Sequence, residues 1–180
     1  LGESSKILYI IYAVMTAILI ILLVIAGMPV FNSFIYAFGT AGTGGFAMDA
    51  LSVGAYNNPW IEWIITIGMF LFGVNFTLYF FIIKGDWKNI FKNEEFRLYV
   101  FYVLLAIFAV VINSMLKFNN NFGEALRHTA FTVSSLVTTT GYATTDYNLW
   151  PMFSKSVLLT LMFFGACAGS TGGGIKSIRV

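Results

Sequence analysis

The chain has 180 residues, of which 58% are hydrophobic and 10% charged, with a formal charge of +2 and a mean hydropathy of +0.82. Soluble domains carry about 25% charged residues, so this surface is not built for water. The small net charge and scattered basic residues argue against a nucleic-acid partner. The single cysteine, Cys167, cannot close an intrachain disulfide and sits in an apolar run as a small buried hydrophobe.

In chain order, the first element is an apolar run over 7–27, preceded by Lys6. It matches the roughly 17–25 residues that cross a hydrocarbon core about 30 Å thick. It lacks a small-residue cleavage site, which makes it a spanning helix and not a signal peptide. The connection over 28–59 is not hydrophilic: 30–38 suits a short helix, and the run Thr43-Gly44-Gly45-Phe46-Ala47 follows. A second span is expected over 60–83, where the polar Asn75 is best used in an interhelical hydrogen bond. A basic linker over 85–97 leads to a third span over 98–116. The second connection, 117–151, again holds a short helix, over 125–137, then Thr138-Thr139-Thr140-Gly141-Tyr142-Ala143. A fourth, shorter run over 152–168 meets Gly169-Ser170-Thr171-Gly172-Gly173-Gly174, through which a helix does not continue. Both ends, at Leu1 and Val180, read as cuts through a longer protein.

If each stretch crosses once, Lys6, Lys84, Lys88, Lys92, Arg97, Lys176 and Arg179 share one side, leaving Lys117, Arg127 and Lys155 on the other. The richer side is cytoplasmic by the positive-inside tendency, and the two apolar connections face outward. A helix of about 10–14 residues is roughly 15–21 Å long and reaches half-way into a bilayer. Each connection is therefore expected to be a re-entrant hairpin, a half-length helix with an extended return. Backbone lacking helical hydrogen bonds survives at that depth only when protein buries it or water reaches it, so the returns are candidate pore linings.

The chain also repeats. Gly44-Gly45-Phe46-Ala47 aligns with Thr140-Gly141-Tyr142-Ala143, 96 residues on. The copies are parallel, as for neighbours around an axis and unlike the halves of an inverted-repeat carrier. The expected fold is an all-α integral membrane protein of two parallel helix–re-entrant pore loop–helix (M1-P-M2) repeats. The first covers 1–84 with its pore loop at 30–47, and 85–97 is a cytoplasmic linker. The second covers 98–180, with its pore loop at 123–143, and ends in the glycine-rich stretch.

Potassium-channel filters present backbone carbonyls from a Thr-Val-Gly-Tyr-Gly strand in place of the ion's water shell. The second Thr/Gly run follows that plan, with Gly141 free to adopt angles closed to other residues and Tyr142 able to anchor the strand. The first run repeats it. A half-helix entering from outside points its C-terminus, carrying about half a negative charge, at the membrane centre. No Asp or Glu lies within either filter run, and neutral dipoles suit a monovalent ion better than a divalent one. Asp49 and Asp146, just beyond each run, are either mouth acids that concentrate cations or helix caps.

These residues, with Asn75, Thr144-Thr145-Asp146-Tyr147, Leu149-Trp150-Pro151 and the stretch from Gly165 through Gly174 to Lys176, resemble the Trk/Ktr/HKT superfamily of potassium transporters, and within it the bacterial TrkH-type membrane subunit. The resemblance covers essentially the whole chain and implies the second and third of four repeats around one pore. It implies a potassium-binding filter at Thr43, Gly44, Gly45, Thr139, Thr140 and Gly141. It also implies an intramembrane gate loop at Gly169, Ser170, Thr171, Gly172, Gly173 and Gly174, and a place in the bacterial inner membrane. Lys176 and Arg179 are either gate-side cations or anchors that snorkel to the interface. Two repeats cannot surround an ion, so the remaining repeats of the same pore are expected partners, with lipid and a second copy of the full-length protein. Cytoplasmic nucleotide-binding regulatory subunits come from the resemblance alone. The transported potassium is the expected ligand, with no cofactor.

Two other functions fit less well. An intramembrane hydrolase would pair Ser170 with His128, which the topology puts at different depths. A substrate-coupled carrier with re-entrant hairpins would require inverted repeats. The glycine-rich stretch is no phosphate loop, since Ile175 intrudes before Lys176-Ser177 and no nucleotide domain surrounds it. His128 has no second His or Cys at ligand spacing and is expected to be a satisfied interface histidine.

Overall fold

The structure, a computed structural model, describes residues 2–86, 92–115 and 121–174. Lys88, Lys117, Lys176 and Arg179, used in the charge argument, lie outside these residues. The described residues form helices and turns with no strand: α1 (Gly2–Ile25), α2 (Val30–Ala41), α3 (Pro59–Phe72), α4 (Phe76–Ile83), α5 (Glu94–Ser114), α6 (Phe122–Val137) and α7 (Met152–Phe163). Short 3₁₀ turns at Ser52–Tyr56 and Tyr147–Leu149 follow the two filter runs.

Two helices are long and apolar enough to cross a membrane, Lys6–Ile25 within α1 and α5. Their outward faces carry Ile10, Val14, Ile18 and Ile21 on one and Phe101, Leu104, Leu105, Phe108 and Ile112 on the other, all exposed. Apolar stripes of that extent need a lipid or protein neighbour. The shorter helices α2 and α6 have 12 and 16 residues, or about 18 and 24 Å. α6 starts earlier than the sequence pattern suggests because the Asn121 side chain accepts from Glu124 N–H at 3.3 Å. Glu124 itself lies in the positive first turn.

The expected continuous span over 60–83 is not continuous. It is α3 and α4, bent by 91° across Gly73-Val74-Asn75. Hydropathy carries straight through this point, but the backbone does not. A Cβ on Gly73 would lie 2.4 Å from the Tyr99 hydroxyl and 2.9 Å from Thr138 Cγ2, so glycine lets α5 and α6 close in. Asn75 then caps a new helix, its Oδ1 accepting from Thr77 N–H at 2.9 Å. The bond partner expected across helices is thus a local one.

The fourth apolar run also differs from expectation. Helix α7 stops at Phe163, and 164–168 is irregular. Gly165 forces the stop: its absent Cβ would lie 2.2 Å from the Gly173 carbonyl oxygen, so the chain folds back on itself there. The two breaks satisfy each other. Gly73 O accepts from Cys167 N–H at 3.1 Å, and Phe76 N–H donates to Gly169 O at 3.1 Å. The Thr171 hydroxyl donates to Phe72 O at 3.3 Å. Unpaired peptide groups in hydrocarbon would cost several kcal/mol each, about as much as these contacts avoid.

Each repeat has its own apolar core, and each lends side chains to the other. Phe131 and Tyr142 sit in the first core with Tyr36, Ile65 and Phe72. Val74 and Leu78 cross into the second, with Tyr99, Val103 and Val137. α6 accordingly packs on α3 as well as on α5 and α7. Replacing the cap at the bend is expected to show in the full-length protein: Asn75→Ala should lower its stability by about 1 kcal/mol, read as a reduced melting temperature in detergent, while Asn75→Asp keeps most of it.

Candidate ion filter and the loop beneath it

The filter geometry follows from where its amides go. At the end of α2, Gly44 N–H and Gly45 N–H both turn back to Gly39 O, at 2.8 and 3.5 Å. At the end of α6, Thr140 N–H and Gly141 N–H turn back to Ser135 O, at 2.9 and 3.3 Å. Every pair is 96 residues apart. Among the described residues no peptide bond is cis, and in a trans peptide the C=O points opposite to the N–H it adjoins. The carbonyls of Thr43, Gly44, Thr139 and Thr140 therefore point away from the half-helices that carry them.

The same symmetry appears in the dihedrals. Thr43 and Thr139 have φ of +49° and +58°, and Gly45 and Gly141 have +65° and +86°. Glycine accepts this region freely. A β-branched residue does not, and each threonine stores roughly 1–3 kcal/mol of strain there. Both strained threonines are held from one loop: the Thr43 hydroxyl donates to Thr171 O at 3.0 Å, and Gly173 N–H donates to Thr139 Oγ1 at 2.8 Å.

The two filter runs also meet. A Cβ on Gly45 would lie 2.0 Å from Thr140 O and 3.7 Å from the Gly141 carbonyl carbon. At Gly141 the corresponding direction is open, with nothing within 4 Å. Tyr142 locks the runs together, its hydroxyl reaching Tyr36 O at 3.2 Å and Phe46 O at 3.1 Å. Gly39 makes room for that hydroxyl, 2.2 Å from where its Cβ would be. The Ser135 hydroxyl, at the matching position of α6, instead donates to Tyr142 O at 2.7 Å.

The glycine-rich stretch lies against this assembly. Gly172 packs on Ala166 and near Thr138 O, and the Tyr102 hydroxyl donates to Gly165 O at 2.8 Å. Glu95, in the first turn of α5, accepts from Ala168 N–H. The loop thus has handles on both filters, on the bend of the first repeat and on the start of α5.

Asp146 caps the turn after the second filter, accepting from Asn148 N–H at 2.9 Å, while Asp49 is exposed before the Ser52–Tyr56 turn. Cys167 is buried. Ser170 donates to Cys167 O at 2.6 Å, and His128 faces Thr144 and Glu62, so each is engaged in its own neighbourhood. Sequence reasoning passed over Glu62 and Glu95. The available signal was a lone acid at the start of an apolar stretch for Glu62, and an adjacent pair with Glu94 at the start of another for Glu95.

Together these features define an all-helical membrane protein that brings two half-length helices and their Thr/Gly returns to one place. The family described as TrkH: Cation transport protein matches residues 1–180. The chain belongs to that family, whose members are membrane transporters and not enzymes. It is 36% identical, over its whole length, to the Trk system potassium uptake protein TrkH of Salmonella typhimurium, and spans 38% of that protein. It is 33% identical over 99% of its length to the Trk system potassium uptake protein TrkG of Escherichia coli, 37% of which is covered. The crystal structure of the potassium transporter TrkH from Vibrio parahaemolyticus superposes with a TM-score of 0.91 at 33% identity, covering 99% of this chain and 39% of that one.

The two filter glycines are expected to respond unequally to a methyl group. Gly141→Ala incurs only the left-handed backbone penalty, about 1–2 kcal/mol, because its Cβ direction is open. Gly45→Ala adds a collision with backbone and should destabilise the full-length protein more, as thermal unfolding of the two variants side by side will measure.

Proposed function

We propose that this chain is the two-repeat portion of a potassium uptake pore, in which Thr43, Gly44, Thr139 and Thr140 offer carbonyl oxygens to a dehydrated ion, with Gly45 and Gly141 shaping the strand. The observation that carries this reading is the doubled amide turn-back onto Gly39 O and Ser135 O, which leaves those four carbonyls facing the opposite way. The C-termini of α2 and α6 add their partial negative charge at the same place. The inside-negative potential then drives entry, at about 2.3 kcal/mol per charge per 100 mV. The relatives' names support potassium as the cargo.

Two strands leave the rest of an ion's shell unfilled, so the pore is completed by further repeats of the full-length protein. This accords with the chain spanning well under half of its relatives. A second copy of the full-length protein and cytoplasmic nucleotide-binding subunits are the further partners we propose. Residues Gly169, Ser170, Thr171, Gly172, Gly173 and Gly174 act as a gate beneath the filter. Their bonds to Thr43 and Thr139 support this role, because moving the loop must release both filters.

Two measurements on the full-length protein in liposomes test the proposal. Gly141→Ser, a hydroxymethyl on a left-handed filter position, should erode the preference for potassium over sodium; unchanged selectivity would remove the filter assignment. Glu95→Ala strips an acceptor from Ala168 N–H and should raise resting potassium flux by about tenfold or more, since a bond to a charged group is worth about 1.5–3 kcal/mol. A flux equal to the unaltered protein's would detach Glu95 from the gate.

A further inference from the structure

A charged cluster, buried at Glu62 and His128 and partly exposed at Arg127, stands behind the second filter, and ion coordination makes no use of it. Glu62, at the start of α3, is 2% exposed. Its Oε2 lies 2.8 Å from Arg127 Nε, an ion pair without the angles of a hydrogen bond, and 3.6 Å from His128 Nδ1. His128, on α6, is 6% exposed. Its Nδ1 lies 3.0 Å from the Thr144 hydroxyl; its Nε2 lies 3.4 Å from Arg127 and 3.9 Å from Glu124 Oε1. Apolar side chains of similar volume often pack at least as stably as a buried ion pair. Stability alone is therefore a weak reason for these charges.

What they reach is informative. Thr144 is three residues past Gly141, where the filter strand leaves toward the outer surface. Its neighbour Ala143 is bound on both sides by the first repeat: Gly54 N–H donates to Ala143 O at 3.1 Å, and Ala143 N–H donates to Ser52 Oγ at 3.3 Å. A Cβ on Gly54 would lie 2.7 Å from Thr144 O. The Thr144 side chain is thus the remaining handle on this strand, and His128 holds it. The first repeat has a related clasp from the matching helix position, although it closes further along the chain, at Tyr56 and not at Met48, the counterpart of Thr144. Asn32, 96 residues before His128, donates from Nδ2 to the Tyr56 hydroxyl in the turn that follows the first filter. In both repeats a side chain at the matching position of the half-helix clasps the chain beyond the filter.

We infer that His128 is a positioning residue for cation selection: its imidazole, steered by Glu62 and Arg127, holds the Thr144 hydroxyl and so fixes the outer end of the second filter strand. The residue never touches the ion. This inference rests on the filter reading above, and the experiment separates the two. The readout is the potassium-to-sodium flux ratio of the full-length protein in liposomes, with potassium and sodium as the only probes.

His128→Leu and Thr144→Val each remove one end of the contact, and each should lower the ratio by up to about tenfold, the limit for one lost buried hydrogen bond. The double variant should fall no lower than the singles, since they break the same contact. Thr144→Ser keeps the hydroxyl, and His128→Asn gives the second repeat the residue the first one uses; both should stay near the unaltered ratio. Should His128→Leu fold poorly, Thr144→Val at its half-buried position carries the comparison with Thr144→Ser. Intact selectivity in Thr144→Val, or additive losses in the double variant, overturns the inference. Gly141→Ser is run alongside: loss there with an intact Thr144→Val defeats only the role of His128, whereas no loss in Gly141→Ser defeats the filter itself.

Discussion

Peptide groups in hydrocarbon have no water to turn to, and the whole arrangement answers to that constraint. Among the described residues, the stretches that leave helical geometry include the two filter runs, the bend at 73–75 and the loop after Phe163. The filter amides return to their own half-helices, and the bend and the loop pair with one another. The carbonyls opposite the filter amides remain outward, and under the function proposed above a stripped cation would complete their pairing.

The two repeats share this plan without being identical, and their differences are where they join. Tyr142 is 3% exposed because it enters the first repeat, between Tyr36 and the Phe46 carbonyl. Phe46, at the equivalent position, is 73% exposed. A ring that fills a neighbour in one repeat faces open space in the other. Ser135 and Gly39 divide in the same way, one holding its own strand and the other yielding to its neighbour's tyrosine.

Much of this was legible in the sequence, for physical reasons. Long apolar runs and scarce charge identify spanning helices whatever their partners. Thr/Gly runs at a 96-residue period stand out because the special backbone angles they require admit few residue types. The bend at Gly73 was hidden because hydropathy reports burial and not backbone continuity, and Val74 and Phe76 keep the average high. The early stop of α7 was hidden likewise, since Phe164-Gly165-Ala166-Cys167-Ala168 is apolar yet irregular. Glu62 escaped because its meaning lies in Arg127 and His128, more than sixty residues away. A resemblance carried by motifs is strongest at the filter and weakest at such long-range pairs.

The pairing between the bend and the glycine-rich loop sets an order of events during synthesis. Gly73 is made 94 residues before Cys167, the donor its carbonyl needs. At about 5–20 residues per second, roughly 5–20 seconds of synthesis separate that carbonyl from its donor in the kinked form. Until the loop arrives, 60–83 is better served by staying one straight helix, with every peptide group paired internally. The kink in the first repeat thus depends on backbone partners that only the second repeat supplies.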